Sequence, residues 1–393
     1  MSLLLLWLFV AAIGHAAALA FYVNRLHARA FPRKVVKSFS WPVILAIPLG
    51  WLTWIRPLLA VLRDGADGSA LEQAYPWFWA YTIVMAPLGA LAILIWLWRK
   101  IVGDSWRQKS EVTAERVNVE QVLSKPLCLG WKAKLLNRLP GNEFCWVSFE
   151  QQVLAVPRLP KALAGLRIAH LSDFHFTGHL AEEFYDYVVE RVNAWQPELV
   201  VLTGDFLDQD DCLPWLTRVF SKLSNPSNAY YVLGNHDSKQ GRQREINRAL
   251  EASGIVDVGG GPWRIITARN TPILIAGNEE PWLGPSAELQ HAPKTAEHGR
   301  KLFRMLLAHT PDQLGKAVEA DFDLMFAGHT HGGQIALPVI GPIFTPSAYG
   351  TRLQRGTFRR NNTVLHVSRG LSSDLPYRWG SCPQVSLLTL QPS

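Results

Sequence analysis

Residues 3–23 and 77–98 each run for more than twenty positions without an Asp, Glu, Lys or Arg. A helix needs about 20 apolar residues to cross a bilayer, and few other structures can hide so long an uninterrupted apolar run. The aromatic residues of 77–98 crowd its two ends, as interfacial anchors do. A third stretch, 41–62, is interrupted by Arg56 and Pro57 and carries Pro42 and Pro48. An arginine near a helix end can extend its head group to the interface, and prolines are tolerated in membrane helices. Three spans are therefore expected within residues 1–100, with a re-entrant or surface-lying middle segment as the alternative. Nine of the sixteen tryptophans precede residue 110, too many for an ordinary soluble core of that length. Small residues at 16–20 would suit a signal-peptide cleavage site, but no basic segment precedes them, so an uncleaved anchor is expected.

The charges between these stretches give an orientation. Arg25, Arg29, Arg33, Lys34 and Lys37 follow the first, and Arg99, Lys100, Arg107 and Lys109 follow the last. The intervening connection sets Arg63 against Asp64, Asp67 and Glu72. Basic flanks face the cytoplasm, so the remainder of the chain is expected at the cytoplasmic face of an inner membrane. The net charge of +7 comes partly from these flanks. No basic run is interleaved with aromatics in the manner of a nucleic-acid groove, so no nucleic-acid partner is expected. Residues 101–145 are expected to link the membrane region to a globular domain at 146–393. Within that linker, Trp131, Lys132, Lys134, Leu135 and Arg138 form either a basic amphipathic segment on lipid or a plain solvated stretch.

From residue 166 onward short apolar runs alternate with helical periodicity, which argues for an α/β fold. Strands are expected at 166–171, 198–203, 229–233, 304–308, 324–327, 363–367 and 384–390, with helices at 181–195, 214–223 and 311–320. The four cysteines are scattered without a CxxC pair and are expected to be buried thiols. Polar residues cluster just past the strands: Asp173 and His175, Asp205, Asn235 and His236, His309, then His329 and His331. Ligands of open α/β sheets gather beyond the carboxyl ends of strands, so these side chains can converge on one cleft.

Two divalent ions about 3.5–4 Å apart can clamp the attacking and leaving oxygens of an in-line displacement. Such a pair needs a bridging carboxylate, which Asp205 can supply. It also needs hard oxygen and imidazole donors, suited to manganese, iron or zinc. The glycine before Asp205, Asn235 and His329 lets the backbone turn to aim the next side chain.

The series Asp173-Phe174-His175, Gly204-Asp205-Phe206-Leu207-Asp208, Gly234-Asn235-His236-Asp237, His309 and Gly328-His329-Thr330-His331 resembles the calcineurin-like metallophosphoesterases in order and spacing. After the N-terminal membrane helices expected above, the resemblance implies a two-sheet β-sandwich flanked by helices. It implies one metal held by Asp173, His175, Asp205 and His331, and a second held by Asp205, Asn235, His309 and His329. His236 would face the scissile group as a hydrogen-bond or proton donor, with Asp208 orienting its ring. Gln209 stands where the protein Ser/Thr phosphatases carry a phosphate-gripping Arg, which argues against phosphoprotein substrates. The extended string through Gly332-Gly333-Gln334, with Arg369-Gly370-Leu371, looks like a bacterial branch of membrane-associated phosphoesterases. Some of that branch resemble a UDP-2,3-diacylglucosamine diphosphatase of lipid A synthesis. Segment 335–361 mixes apolar residues with Arg352, Arg355, Arg359 and Arg360, suiting either a lipid with an anionic head group or an ordinary basic hairpin. A phosphorylated or lipid-linked substrate is therefore expected. The alternatives are a general phosphomonoesterase or phosphodiesterase on soluble nucleotides or small esters, and a non-catalytic membrane scaffold.

Overall fold

The structure is a computed structural model describing residues 2–31, 33–238, 241–284, 288–296 and 299–393. It divides into two compact units, Met1–Ser105 and Trp106–Ser393.

The first unit is helical. Helices α1 (Ser2–His27), α2 (Arg33–Asp64), α3 (Gly68–Ala74) and α4 (Pro76–Ile101) follow one another. Asp67 caps α3, accepting the Ala70 N–H at 2.9 Å. α1 and α4 approach backbone to backbone at Gly14 and Gly89. A Cβ on Gly14 would lie 1.9 Å from the Met85 carbonyl oxygen, and one on Gly89 equally close to that of Val10. Small residues permit such close helix pairing where lipid removes the hydrophobic drive between helices. Across the same pair Trp7 Nε1 donates to Thr82 Oγ1 at 3.2 Å, and His15 meets the Tyr81 hydroxyl. Among the described residues, Leu3–His27 and Pro76–Ile101 are long and apolar enough to cross a membrane. α2 covers the expected middle span at 41–62 as one continuous helix, part of whose side chains lie outside the described residues.

The second unit begins earlier than expected. Strand β1 (Val112–Asn118) pairs antiparallel with β2 (Trp146–Val156), so residues 106–145 are part of the globular unit rather than a linker. The short α5 (Val119–Val122) and α6 (Gly130–Asn137) lie between them. Then come β3 (Arg167–Leu171), α7 (Glu182–Ala194), β4 (Leu199–Thr203), α8 (Leu213–Phe220), β5 (Ala229–Val232), α9 (Gln243–Ala252) and β6 (Val256–Asp257). Next are β7 (Arg264–Ala268), β8 (Thr271–Asn278), β9 (Phe303–Ala308), α10 (Leu314–Glu319) and β10 (Leu324–Ala327). A minimal hairpin, β11 (Ala336–Leu337) and β12 (Gly341–Pro342), precedes β13 (Gly356–Arg360), β14 (Thr363–Val367) and β15 (Gln384–Pro392). One mixed sheet has the order β1-β2-β15-β3-β4-β5-β6, and a second has β13-β14-β10-β9-β8-β7.

Side chains alternate faces along each strand, and the alternation sets the layers. Ile168, Leu199 and Val201 of the first sheet share one apolar cluster with Met305, Leu307, Phe326 and Val364 of the second. The opposite face of the first sheet packs on α7, α8 and α9 through Val188, Leu216 and Leu250. That of the second packs on α10 through Leu314 and Ala317. Followed toward the carboxyl ends, the inter-sheet positions turn polar: Ile168 gives way to His170, Val201 to Thr203, Leu307 to His309, and Val364 to His366. All four polar side chains are fully buried.

Candidate metal centre

The polar end of this interior opens into a group of strand-end loops. Asp173, His175, Asp205 and His331 bring ligand atoms within 4.8 Å of one another, and so do Asp205, His309 and His329. Asp205 is common to both groups. Asn235 joins the second, its Oδ1 lying 2.9 Å from His309 Nε2.

Backbone geometry at these positions is unusual. Asp173, His175, Asp205, His329 and His331 all have φ between +45° and +70°. Non-glycine residues avoid this region, and where they occupy it the surrounding structure must hold them there. The holding contacts are visible. The His329 N–H donates to Asp173 Oδ1 at 3.0 Å, and the His236 N–H to Asp205 Oδ1 at 2.7 Å. Gly328 approaches so closely that a Cβ there would sit 1.8 Å from Ser172 Oγ and 2.4 Å from Asp173 Oδ2. Gly204, at φ +83°, would place a Cβ 2.6 Å from the Gly234 nitrogen.

The donor set fits divalent cations. His309 Nδ1 lies 2.7 Å from the Thr203 carbonyl oxygen, which can only accept, so Nδ1 carries the hydrogen and Nε2 presents a lone pair. That lone pair faces Asp205 Oδ2 at 3.3 Å, Asn235 Oδ1 at 2.9 Å and His329 Nδ1 at 3.1 Å. Acceptors converging this way favour a positive charge among them, a metal ion or a proton. Burial opposes a charge on His309, but Asp205 and Asp173 outweigh it and raise its pKa to about 9, a proton's answer to the same demand. His175 repeats the pattern. Its Nδ1 meets Asp208 Oδ2 at 2.6 Å, leaving Nε2 to face Asp205 Oδ2 at 3.5 Å and His331 Nε2 at 3.3 Å.

Asp208 does two tasks. Besides His175, its other oxygen takes the Nδ1 of His236, whose ring stands at 88° to that of His175 with centroids 4.5 Å apart. Burial would raise the Asp208 pKa, but His236 and His175 together hold it well below the carboxylate range. Burial lowers the His236 pKa against the pull of Asp205 and Asp208. His236 and His331 are also the accessible edge, with side chains 17% and 14% exposed against 1% or less for Asp173, His175, Asp205 and His309.

This geometry meets two comparisons. The family model for calcineurin-like phosphoesterases matches residues 166–333, the segment that supplies the whole group. The metallophosphoesterase YkuE of Bacillus subtilis is 30% identical over 237 residues, 59% of this chain and 82% of that one. The chain belongs to the calcineurin-like phosphoesterases. It is thus a metal-dependent hydrolase, of a family that uses a dinuclear centre. Similar also are the UDP-2,3-diacylglucosamine pyrophosphatase LpxG of Chlamydia trachomatis and a transmembrane protein with metallophosphoesterase domain of Bos taurus. The first is 26% identical over 66% of this chain and 97% of its own length, the second 26% over 81% and 73%. The second relative's name and the two apolar helices point to membrane association for this phosphoesterase.

Several residues at the centre escaped the sequence reading. Ser172 Oγ lies 2.5 Å from Asp173 Oδ2, Thr203 Oγ1 donates to Ser172 Oγ at 2.7 Å, and His170 Nε2 lies 2.9 Å from Thr203 Oγ1. His170 Nδ1 is 2.8 Å from His366 Nδ1. An ionised Asp173 only accepts, so every hydrogen in this row points toward it, and His366 Nε2 is left as a buried lone pair without a hydrogen-bond partner. Asp237, fully buried, accepts from the N–H groups of Phe206, Leu207 and Gly234 at 2.8–3.0 Å and so ties the loop after β4 to the loop after β5. Burial, with Asp205 nearby, raises its pKa to about 7. The Trp282 ring leans on His329 with centroids 4.7 Å apart. Arg378, fully buried, donates to the carbonyl oxygens of His331 and Arg369 at 2.9 Å and to His331 Nδ1 at 2.9 Å. Asp237 stands in the Gly234-Asn235-His236-Asp237 motif, though not as a candidate site residue, and no short motif announces the others; Arg378 comes 47 positions after the histidine it holds.

Proposed function

We propose that this phosphoesterase hydrolyses a lipid-linked phosphate ester or pyrophosphate at the cytoplasmic surface of a membrane, most concretely the pyrophosphate of UDP-2,3-diacylglucosamine. The observation that carries the reading is the pair of ligand groups sharing Asp205, with His236 standing at their open edge. Asp173, His175, Asp205 and His331 would hold one divalent ion, and Asp205, Asn235, His309 and His329 the other. When bound, the ions lower the pKa of water and neutralise phosphoryl charge. His236 is the one imidazole at that edge outside the two ligand groups, and it gives a hydrogen bond or a proton to the leaving oxygen. Asp208 keeps its ring turned to that task. The lipid substrate draws support from the similarity to LpxG over nearly all of that protein's length. The cytoplasmic side draws support from the basic flanks at 25–37 and 99–109. With α2 crossing as well, both flanks fall on one side.

The test is hydrolysis of UDP-2,3-diacylglucosamine by the purified chain, beside rescue of a strain lacking its own lipid A diphosphatase. Asp205→Ala should abolish turnover and the binding of both ions together; full activity in that variant sinks the assignment. A second reading, hydrolysis of soluble phosphodiesters, is favoured by a relative named phosphodiesterase YaeI from Escherichia coli, 28% identical over 58% of this chain. It prevails if the active wild type fails both lipid tests while cleaving bis-p-nitrophenyl phosphate.

A further inference from the structure

Exposed apolar side chains in the second unit are not scattered. Among the described residues from Trp106 onward, nine of thirteen exposed large apolar residues fall in three segments: 129–139, 335–343 and Leu375. They include Trp131 (78% exposed), Leu135 and Leu139 on and beside α6, and Val339 (75%) and Ile340 at the β11–β12 turn. Single exposed apolar residues need no explanation, but a gathering of them does.

Hydrogen bonds join the three segments. Asn142 Nδ2 donates to the carbonyl oxygen of Leu136 at the end of α6 and to that of Pro376, at 3.0 and 3.2 Å. Gln334 Nε2 donates to the Leu375 carbonyl oxygen at 3.0 Å, and the Ala336 N–H to that of Trp379 at 2.8 Å. The same ground borders the accessible edge of the metal centre, since Gln334 lies three residues past His331 and Arg378 holds that histidine. α6 also begins near the centre, where the Leu129 N–H donates to the His179 carbonyl oxygen at 2.8 Å. Burial and the nearby Lys132 charge lower the His179 pKa, and Asp208 is near enough to act against them. α6 and its end add Lys132, Lys134 and Arg138 among the apolar residues.

We propose that these segments form one rim, beside the mouth of the metal centre, that seats on an anionic lipid bilayer. Apolar side chains would enter the head-group boundary while the α6 cations meet lipid phosphates. Residues 102–105 alone separate the last apolar helix from this unit, a tether of about 14 Å at full extension. The bilayer that holds that helix is the surface within reach. The inference builds on the lipid-linked reading above, because a rim so placed lets a lipid-anchored phosphate enter beside His236 and His331 without leaving the membrane.

The test uses the full chain in nanodiscs of phosphatidylethanolamine and phosphatidylglycerol. Val339→Cys and Leu135→Cys each carry a nitrobenzoxadiazole label, with Ile265→Cys, also exposed on β7, as the control. The four native cysteines are buried, so the introduced thiol is the one that reacts. Emission at 339 and 135 should shift to the blue and be quenched about twofold or more by nitroxide lipids, while 265 stays solvent-like. Quenching at 339 and 135 should weaken when phosphatidylcholine replaces both lipids. Labels at 339 and 135 that behave like the one at 265 overturn the rim, and so does quenching at 339 alone. These readouts need no hydrolysis. A chain quenched at both positions that cleaves soluble esters only refutes the lipid substrate and leaves the rim standing. A chain that cleaves the lipid pyrophosphate with both labels in water does the reverse.

Discussion

At the scale of single residues, Asp208 is the carboxylate on which most depends, because one side chain orients both a candidate ligand and the candidate proton donor. Asp208→Asn should therefore show a double loss. Turnover falls roughly 10²–10³-fold, and metal affinity weakens about 10–100-fold, as when a ligand's outer partner is removed. His236→Ala should lower turnover by roughly 10²–10⁴-fold with metal content near normal. Metal analysis beside kcat separates the two; loss of both ions from His236→Ala would mean that its role is misassigned. The motif histidines and aspartates could be read from the chain because each stands just past an apolar run that reads as a strand. Ser172, Thr203, Arg378 and Trp282 could not, since what makes them matter is a partner brought close by folding. His366 belongs with these and predicts a pH effect. Burial, and then Arg369, lower its pKa from 6.5 to about 3. A histidine held neutral in the fold contributes stability that is present above pH 6.5 and is lost as pH falls toward 3. Near-UV circular dichroism of acid unfolding in detergent should show a shallower slope across that window for His366→Gln than for wild type. Equal slopes would remove His366 from the account.

Among the elements, the strand ends carry the site, and what they require is space. Gly328 begins the turn after β10 against the side chains of Ser172 and Asp173 after β3, and Asp173 and the following His329 are held at left-handed φ. Gly328→Ala has no room to relax, so it should lower metal occupancy and destabilise the second unit by about 2 kcal/mol or more, like other overpacked sites. A thermal melt with and without added manganese checks both effects; unchanged occupancy would show that the loop yields. The strands read from sequence, β3, β4, β5, β9, β10, β14 and β15, are those with short apolar runs and strict punctuation. β2 was not read as a strand because its centre is Glu150-Gln151-Gln152. Those polar residues are tolerated by partners far along the chain: Glu150 accepts from Arg369 at 2.5 Å and from Gln384 at 2.8 Å, and Gln152 donates to Thr357 at 2.7 Å. β1 is mostly exposed at an edge and offers no apolar pattern at all.

For the whole molecule, the two units and the boundary between them can be tested by truncation. A chain starting at Trp106 keeps β1 on the edge of the first sheet and should be soluble and cooperative in thermal unfolding. A chain starting at Trp146, the boundary expected from composition, strips β1 from β2 and uncovers Val147 and Phe149, both buried in the intact unit. It should aggregate, because an unprotected strand edge pairs with copies of itself. Light scattering of the two preparations decides the matter, and equal solubility would return residues 106–145 to the status of a linker. The order of the first sheet has a further meaning for how the protein is made. β15 lies between β2 and β3, parallel to one and antiparallel to the other, yet Gln384 follows Leu171 by 213 positions. A ribosome moving at about 5–20 residues per second needs roughly 10–40 s to cover that distance. Throughout the interval neither β2 nor β3 has the partner that lies between them in the folded sheet. The apolar helices of the first unit have by then long emerged. β15 is the strand that closes the sheet between β2 and β3, so the sheet cannot be completed until residues 384–392 have been translated.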